Sequence, residues 1–310
     1  MNRTFSRIWL VVVALLGSTA MVSGAAWEWG NESGSASYKV LKIAPTPRQA
    51  ALAGAGLANP GSASEAVWNP MAGSWSKNGS ISLNQVRLSE RLNANWNSLQ
   101  LVEPFAGLHL NAGANYLHVQ ELEERDELTG EATGHFGAHV WRGRLGLSSG
   151  LGPFTWGLQG SYTSFALAEY DSRAILADAV LGCALFKDLR IAAGVFHLGW
   201  VDAFDTSREM APTTLQAGIS YELPWKTSLT WMLHGDLRRS QDGLREYLFG
   251  LESTYRDFLI LRMGGRVDSE TRATVHGGLG LMLAGLEASY AYTANPYLQG
   301  SHSFGLGYHF

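Results

Sequence analysis

The chain has 310 residues, 46% of them apolar and only 16% charged, with a formal net charge of -4. A slightly acidic chain with no basic run offers no electrostatic footprint for nucleic acid, so that partner class is excluded. The single cysteine, Cys183, rules out an intrachain disulfide and reads as a small apolar side chain in a strand.

Residues 1–25 read as a secretory signal peptide: Arg3 and Arg7 open it, Ile8 to Leu16 is a short apolar run, and Ser23 to Ala26 are small enough for cleavage. The run is well below the ~20 residues that a spanning helix needs. No later segment is a continuous apolar run of that length, which excludes a helical membrane protein.

Residues 26–77 are expected to form a lead and a plug segment. Trp27 to Ser37 is rich in Gly and Ser, Lys39 to Ile43 reads as a short strand, and Pro45-Thr46-Pro47 breaks the chain. Ser62 to Glu65 has capping-box spacing and predicts a short helix through about Trp68, ended by Asn69-Pro70. Arg48 is a lone charge in a small, apolar stretch, which suggests a latch holding this segment against carboxylates. Gly54 and Gly56 are not a nucleotide loop, because no βαβ pattern surrounds them.

Residues 78–310 read as a β-meander of about fourteen strands. Leu108, Leu110, Ala112, Ala114 and Tyr116 face one way, and His109, Asn111, Gly113 and Asn115 the other. The same alternation recurs at Phe154 to Thr163, Thr214 to Leu223 and Leu286 to Tyr292. Around Val140 to Arg144 the phase slips, which predicts a bulge or a bend. Tight joints near Glu103-Pro104, Gly152-Pro153, Lys187-Asp188, Pro224-Trp225, Arg256-Asp257 and Ala284-Gly285 alternate with longer polar ones. These longer joints are Glu121 to Thr133, Ala166 to Asp171, Asp202 to Pro212, Arg238 to Gly243, Asp268 to Thr271 and Ala294 to Gly300. Apolar-out, polar-in strands with short inner turns and longer outer loops describe a transmembrane antiparallel β-barrel of the bacterial outer membrane. Closure is required, because an open sheet edge in hydrocarbon leaves backbone groups unpaired. A large soluble β-sandwich, the competing architecture, would carry more surface charge.

The polar faces carry Asp178, Glu222, Asp236, Glu252, Arg262, Arg266 and Glu287, read as a lumen lining whose charges pair with one another. His109, His234, His276 and His309 also fall on polar faces, without metal-ligand spacing. No Ser/His/Asp arrangement stands out, so no enzyme, metal or cofactor is expected. The acidic run Glu121 to Glu127 reads as a solvated outer loop. Expected partners are outer-membrane lipid, with its lipopolysaccharide, and the barrel-assembly machinery. The chain closes on outward-facing Phe304, Leu306, Tyr308 and Phe310, which resemble the C-terminal assembly signal of bacterial outer-membrane barrels.

One stretch is more specific. Pro47-Arg48-Gln49-Ala50-Ala51-Leu52-Ala53-Gly54-Ala55-Gly56-Leu57-Ala58, followed by Ala66-Val67-Trp68-Asn69-Pro70-Met71-Ala72-Gly73, resembles the opening of PorV/PorQ-type proteins in the FadL superfamily. Met71 departs from the pattern by standing between Asn69-Pro70 and Ala72-Gly73. The resemblance implies a fourteen-stranded barrel with its N-terminal segment in the lumen. The function it implies first is a component of type IX-like secretion and surface presentation, with secretion subunits and cargo as partners; the alternative is a passive channel for hydrophobic compounds.

Overall fold

The structure, a computed structural model, describes residues 38–89, 93–125, 130–168, 170–202, 211–225, 228–270, 272–294 and 300–310. The expected signal peptide and the Trp27–Ser37 lead lie outside the described residues, as do parts of several outer joints.

Fourteen antiparallel strands close into a barrel in chain order. They are β1 (Ser80–Ser89), β2 (Ala94–Phe105), β3 (Leu108–Arg125), β4 (Ala132–Leu151), β5 (Phe154–Leu167), β6 (Tyr170–Ala184), β7 (Leu189–Val201), β8 (Thr214–Glu222), β9 (Leu229–Ser240), β10 (Arg245–Tyr255), β11 (Leu259–Asp268), β12 (Ala273–Leu283), β13 (Leu286–Thr293) and β14 (Ser301–His309). The last strand closes the ring on the first, with Ile81 opposite Tyr308, Leu83 opposite Leu306 and Gln85 opposite Phe304. Phe310 adds a final bond from its N–H to the Gly79 carbonyl at 3.0 Å. No helix among the described residues is long and apolar enough to cross a membrane; the strands do the crossing.

Alternation explains the wall. Leu83, Leu145, Leu158, Leu237, Met263 and Leu306 stand exposed on the outside, where lipid rather than water solvates them. Exposed Trp200 and Tyr292 lie toward the outer strand ends, and Trp225, Tyr255 and Phe258 lie beside the inner turns, the positions of two aromatic girdles.

Several expectations need correction. The first turn falls at Ala106-Gly107, both at positive φ, while Glu103-Pro104 belongs to β2. Two consecutive left-handed residues match the twist of a tight hairpin, and Ala284-Gly285 repeats the device. The joint between β5 and β6 is also tight. β3 runs on to Arg125, so the first part of the acidic run is strand rather than loop. No bulge lies at Val140 to Arg144, where β4 pairs regularly with β5. Val140 simply points inward with Arg142 and Arg144, an apolar residue on a face expected to be polar. Register shifts fall instead at Arg87/Ser89, Val119/Leu122, Glu124/Arg125 and Ala177/Ala179.

Residues 38–76 fill the lumen. Lys39–Lys42 is a 3₁₀ turn, not a strand, because it has no sheet neighbour to pair with. Helix α1 (Pro47–Ala51) is capped by Thr46, whose Oγ1 accepts from the Gln49 N–H at 3.1 Å, with Pro47 at its first position. Two further 3₁₀ turns, Ala63–Val67 and Pro70–Trp75, follow. The capping box at Ser62 does not form. The Ser62 hydroxyl donates to Glu287 Oε2 at 3.3 Å, and the Glu65 carboxylate accepts from the Thr46 hydroxyl at 2.9 Å and from Trp68 Nε1–H at 2.7 Å. Asn69 ends one turn and opens the next, its Oδ1 accepting from the Met71 N–H at 3.1 Å.

Candidate functional site

The plug lies against the wall where the wall has no side chains. A Cβ on Gly157 would stand 2.3 Å from the Met71 nitrogen, and one on Gly264 would stand 2.4 Å from the Leu52 carbonyl carbon. A Cβ on Gly278 would meet that of Ala51 at 2.7 Å. Inward glycines thus let the plug backbone approach the strands closely.

Polar contacts fix the plug in place. Arg48 Nε donates to Glu252 Oε2 at 3.0 Å, and Arg262 Nε donates to the same oxygen at 2.6 Å. Arg48 Nη2 also donates to the Asn59 carbonyl at 3.0 Å, tying the two ends of the Gly-rich loop. Burial disfavours the Arg48 charge, but the carboxylates of Glu252 and Glu65 outweigh it and hold the guanidinium above its ordinary range. For Glu65 burial wins, and its carboxyl is raised against the pull of Arg48 and its two hydrogen-bond donors.

Gly54 and Gly56 sit at φ +88° and +99°, a backbone shape that L side chains rarely adopt. The chain there turns its backbone groups onto the wall. Asp236 receives the N–H groups of Gly56 at 3.2 Å and Leu57 at 3.0 Å. The Gly54 carbonyl accepts from Gln216 Nε2 at 3.1 Å and Arg238 Nη2 at 3.2 Å. Asn69 is fully buried and donates to the Leu57 carbonyl at 3.1 Å; Asn111 donates to the Pro70 carbonyl at 3.1 Å. Val67 is held by Arg144, which donates to its carbonyl.

The remaining inward charges separate by height. Glu287 accepts from Ser62 and Ser64 at 3.3 Å and pairs with His309 at 3.2 Å near the inner rim. Half-buried Glu222 closes β8 at the same rim. Arg266 lies at the outer end of β11 and pairs with Glu246 at 3.4 Å; Glu246 also pairs with Arg238 at 3.5 Å. Asp178 pairs with Arg142 at 3.2 Å and accepts from Gln159 Nε2 at 2.9 Å.

Two features escape sequence reasoning. The outer half of the lumen is apolar on one side: Val86, Trp96, Leu117, Val140, Leu176 and Val201 point inward and form one cluster with Leu41 of the plug. Tyr38, Val40, Ile43 and Phe165 pack against it. A sequence signal exists in the apolar residues that occupy the otherwise polar phase of β1, β3 and β4. The second feature is a wall bulge. Between the pairs Ala177–Leu198 and Ala179–Val195, β7 carries Phe196 and His197 opposite the single residue Asp178. His197 sits at φ +57°, and its N–H donates to Asp178 Oδ1 at 2.6 Å. Beyond this point β7 leaves β8. Their pairing ends at Phe196–Thr214, and Leu198–Val201 pairs with β6 only, among the described residues.

No protein-family model and no curated protein matches this sequence. Solved structures do. The toluene transporter TodX of Pseudomonas putida is 13% identical, with 84% of this chain and 96% of that chain covered at a TM-score of 0.62. CymD, a monoaromatic hydrocarbon channel, is 14% identical, with 86% and 98% covered at a TM-score of 0.63. This chain shares the barrel fold of TodX and CymD. The outward apolar band and the lumen-filling N-terminal segment agree with that fold, and likeness at this level of identity reaches the barrel rather than the PorV/PorQ subgroup.

Proposed function

We propose that the protein is a passive channel for small hydrophobic compounds. The observation that carries this reading is the apolar cluster in the outer lumen, at Leu117, Val140, Leu176 and Val201. Those residues face inward and form the largest apolar cluster on a wall that is otherwise mostly polar or glycine, with smaller apolar spots such as Val102, Val180 and Leu248, and an apolar inner wall favours solutes that leave water readily. The end of the β7–β8 ladder at Phe196–Thr214, beyond which, among the described residues, only the Thr213 hydroxyl reaches the His197 carbonyl, supports it, because a solute leaving there enters the bilayer without passing the plug. TodX and CymD, which share the fold, are a toluene transporter and a monoaromatic hydrocarbon channel. Presentation of secreted cargo, the other role implied by the opening motif, draws on that motif alone.

Proteoliposome uptake tests the reading. Toluene should enter loaded vesicles faster than it enters protein-free ones, while glucose should not. Equal toluene entry with and without the protein would remove the proposal.

A further inference from the structure

A cavity of about 180 Å³ lies between the plug and the wall, in the outer half of the lumen, beside the β7 bulge. Its lining is unusual in one respect. Trp96, Asn115 and Arg142 line it with only 3%, 3% and 6% of their surfaces exposed. Yet Trp96 Nε1, Asn115 Nδ2 and Arg142 Nε have no hydrogen-bond partner. His197 adds a fourth unpartnered atom, Nδ1. Arg142 Nη1 lies 3.3 Å from His197 Nε2. A guanidinium can only donate, so Nε2 accepts and Nδ1 carries the proton. All four are therefore donors, against a single unpartnered acceptor on the same lining, Gln49 Oε1. Buried donors without acceptors are costly, and four around one cavity call for an acceptor.

Charge points the same way. Of the cations lining the cavity, Lys42 pairs with Asp242 and Arg142 with Asp178, while Arg238 and Arg266 share the single carboxylate of Glu246, which leaves one positive charge in excess. Size limits the occupant, since an apolar cavity of ~150 Å³ takes up one benzene ring. Trp68 and Phe196 also line the cavity, their ring centroids 6.3 Å apart, and supply an aromatic side.

We propose that this cavity is a binding site for a small monocarboxylate carrying one aromatic ring. The carboxylate takes the Arg142, Asn115 and Trp96 donors, and the ring lies against Trp68 and Phe196. The inference rests on the channel reading and narrows it from apolar compounds in general to those with an anionic acceptor at one end.

The test uses the full mature chain in detergent, with benzoate, benzyl alcohol and toluene titrated calorimetrically. Benzoate should bind at least tenfold more tightly than the two uncharged compounds. Trp96→Phe and Asn115→Leu each remove one donor while keeping apolar bulk. Each should weaken benzoate about tenfold, the scale of a hydrogen bond to a charged group, and leave toluene unchanged. Retained anomalous migration of unheated protein in gel electrophoresis reports that both variants are folded. Benzoate binding no tighter than that of benzyl alcohol, or unaltered in both folded variants, overturns the proposal. Toluene uptake without benzoate preference leaves the channel reading standing and removes this one. Benzoate bound without uptake of any of the three compounds removes the channel reading alone.

Discussion

Arg48 and Glu252 are 204 positions apart in the chain, and their side chains meet at 3.0 Å inside the barrel. Glu252 holds a second guanidinium, that of Arg262, at 2.6 Å. One carboxylate thus joins the plug to two neighbouring wall strands, β10 directly and β11 through its arginine.

Glu252→Gln should therefore loosen the plug more than Arg48→Met does. The first removes the carboxylate that two buried cations share, and the second leaves Glu252 still paired with Arg262. Loss of one partner in a buried ion pair costs about 3–5 kcal/mol. Hydrogen exchange of residues 47–57 measures it; equal protection in wild type and both variants would contradict the latch.

Glu65 predicts a pH dependence of stability. Burial raises its carboxyl above the ordinary value of 4.5, so the folded state prefers the neutral acid. For a raised group, the stabilisation is fully present below the unfolded value and is lost as pH rises through the folded one. Glu65→Gln should then match wild type in melting temperature at pH 4 and exceed it at pH 8. The Gln side chain keeps an oxygen to accept from Thr46 and Trp68. A variant less stable than wild type at both pH values would exclude this account.

The wall glycines give a steric prediction. Gly157→Ala and Gly264→Ala would each push a Cβ to within 2.3–2.4 Å of plug backbone, which no rotamer change relieves. Overpacking of this kind costs about 1–3 kcal/mol. Gly160, with open space around its Cβ position, is the matched control. Thermal unfolding followed by circular dichroism should separate the first two variants from Gly160→Ala.

Lys42 Nζ meets Asp242 Oδ2 at 2.9 Å and tethers the Lys39–Lys42 turn to the outer β9–β10 turn. Asp242 is almost fully buried. Asp242→Asn should release the turn from the apolar cluster and raise toluene entry in vesicles. Slower entry than wild type would mean that the tether holds the pathway open rather than filled.

Much of the barrel is legible in the sequence because lipid imposes a strict rule. Leu108 to Tyr116 alternates without a break, and the observed β3 follows it. The same rule misleads where the lumen itself is apolar. Val140 reads as a phase slip because an inward apolar residue contradicts a polar lumen, yet it lies with Leu41 and Leu176 in the outer cluster. The plug is harder to read. Its short turns answer to wall partners far along the chain, as Ser62 does to Glu287, and local spacing such as the capping box loses to those contacts. The β7 bulge leaves no local signal, since the pairing of Asp178 with the His197 N–H exists only once β6 and β7 are aligned.

The most direct test of the apolar outer lumen as a solute path is an experimental structure of the purified protein soaked with iodobenzene, located by the anomalous signal of iodine. The account predicts iodine inside the barrel, among Leu117, Leu176 and Val201. Iodine confined to the lipid-facing exterior would contradict it.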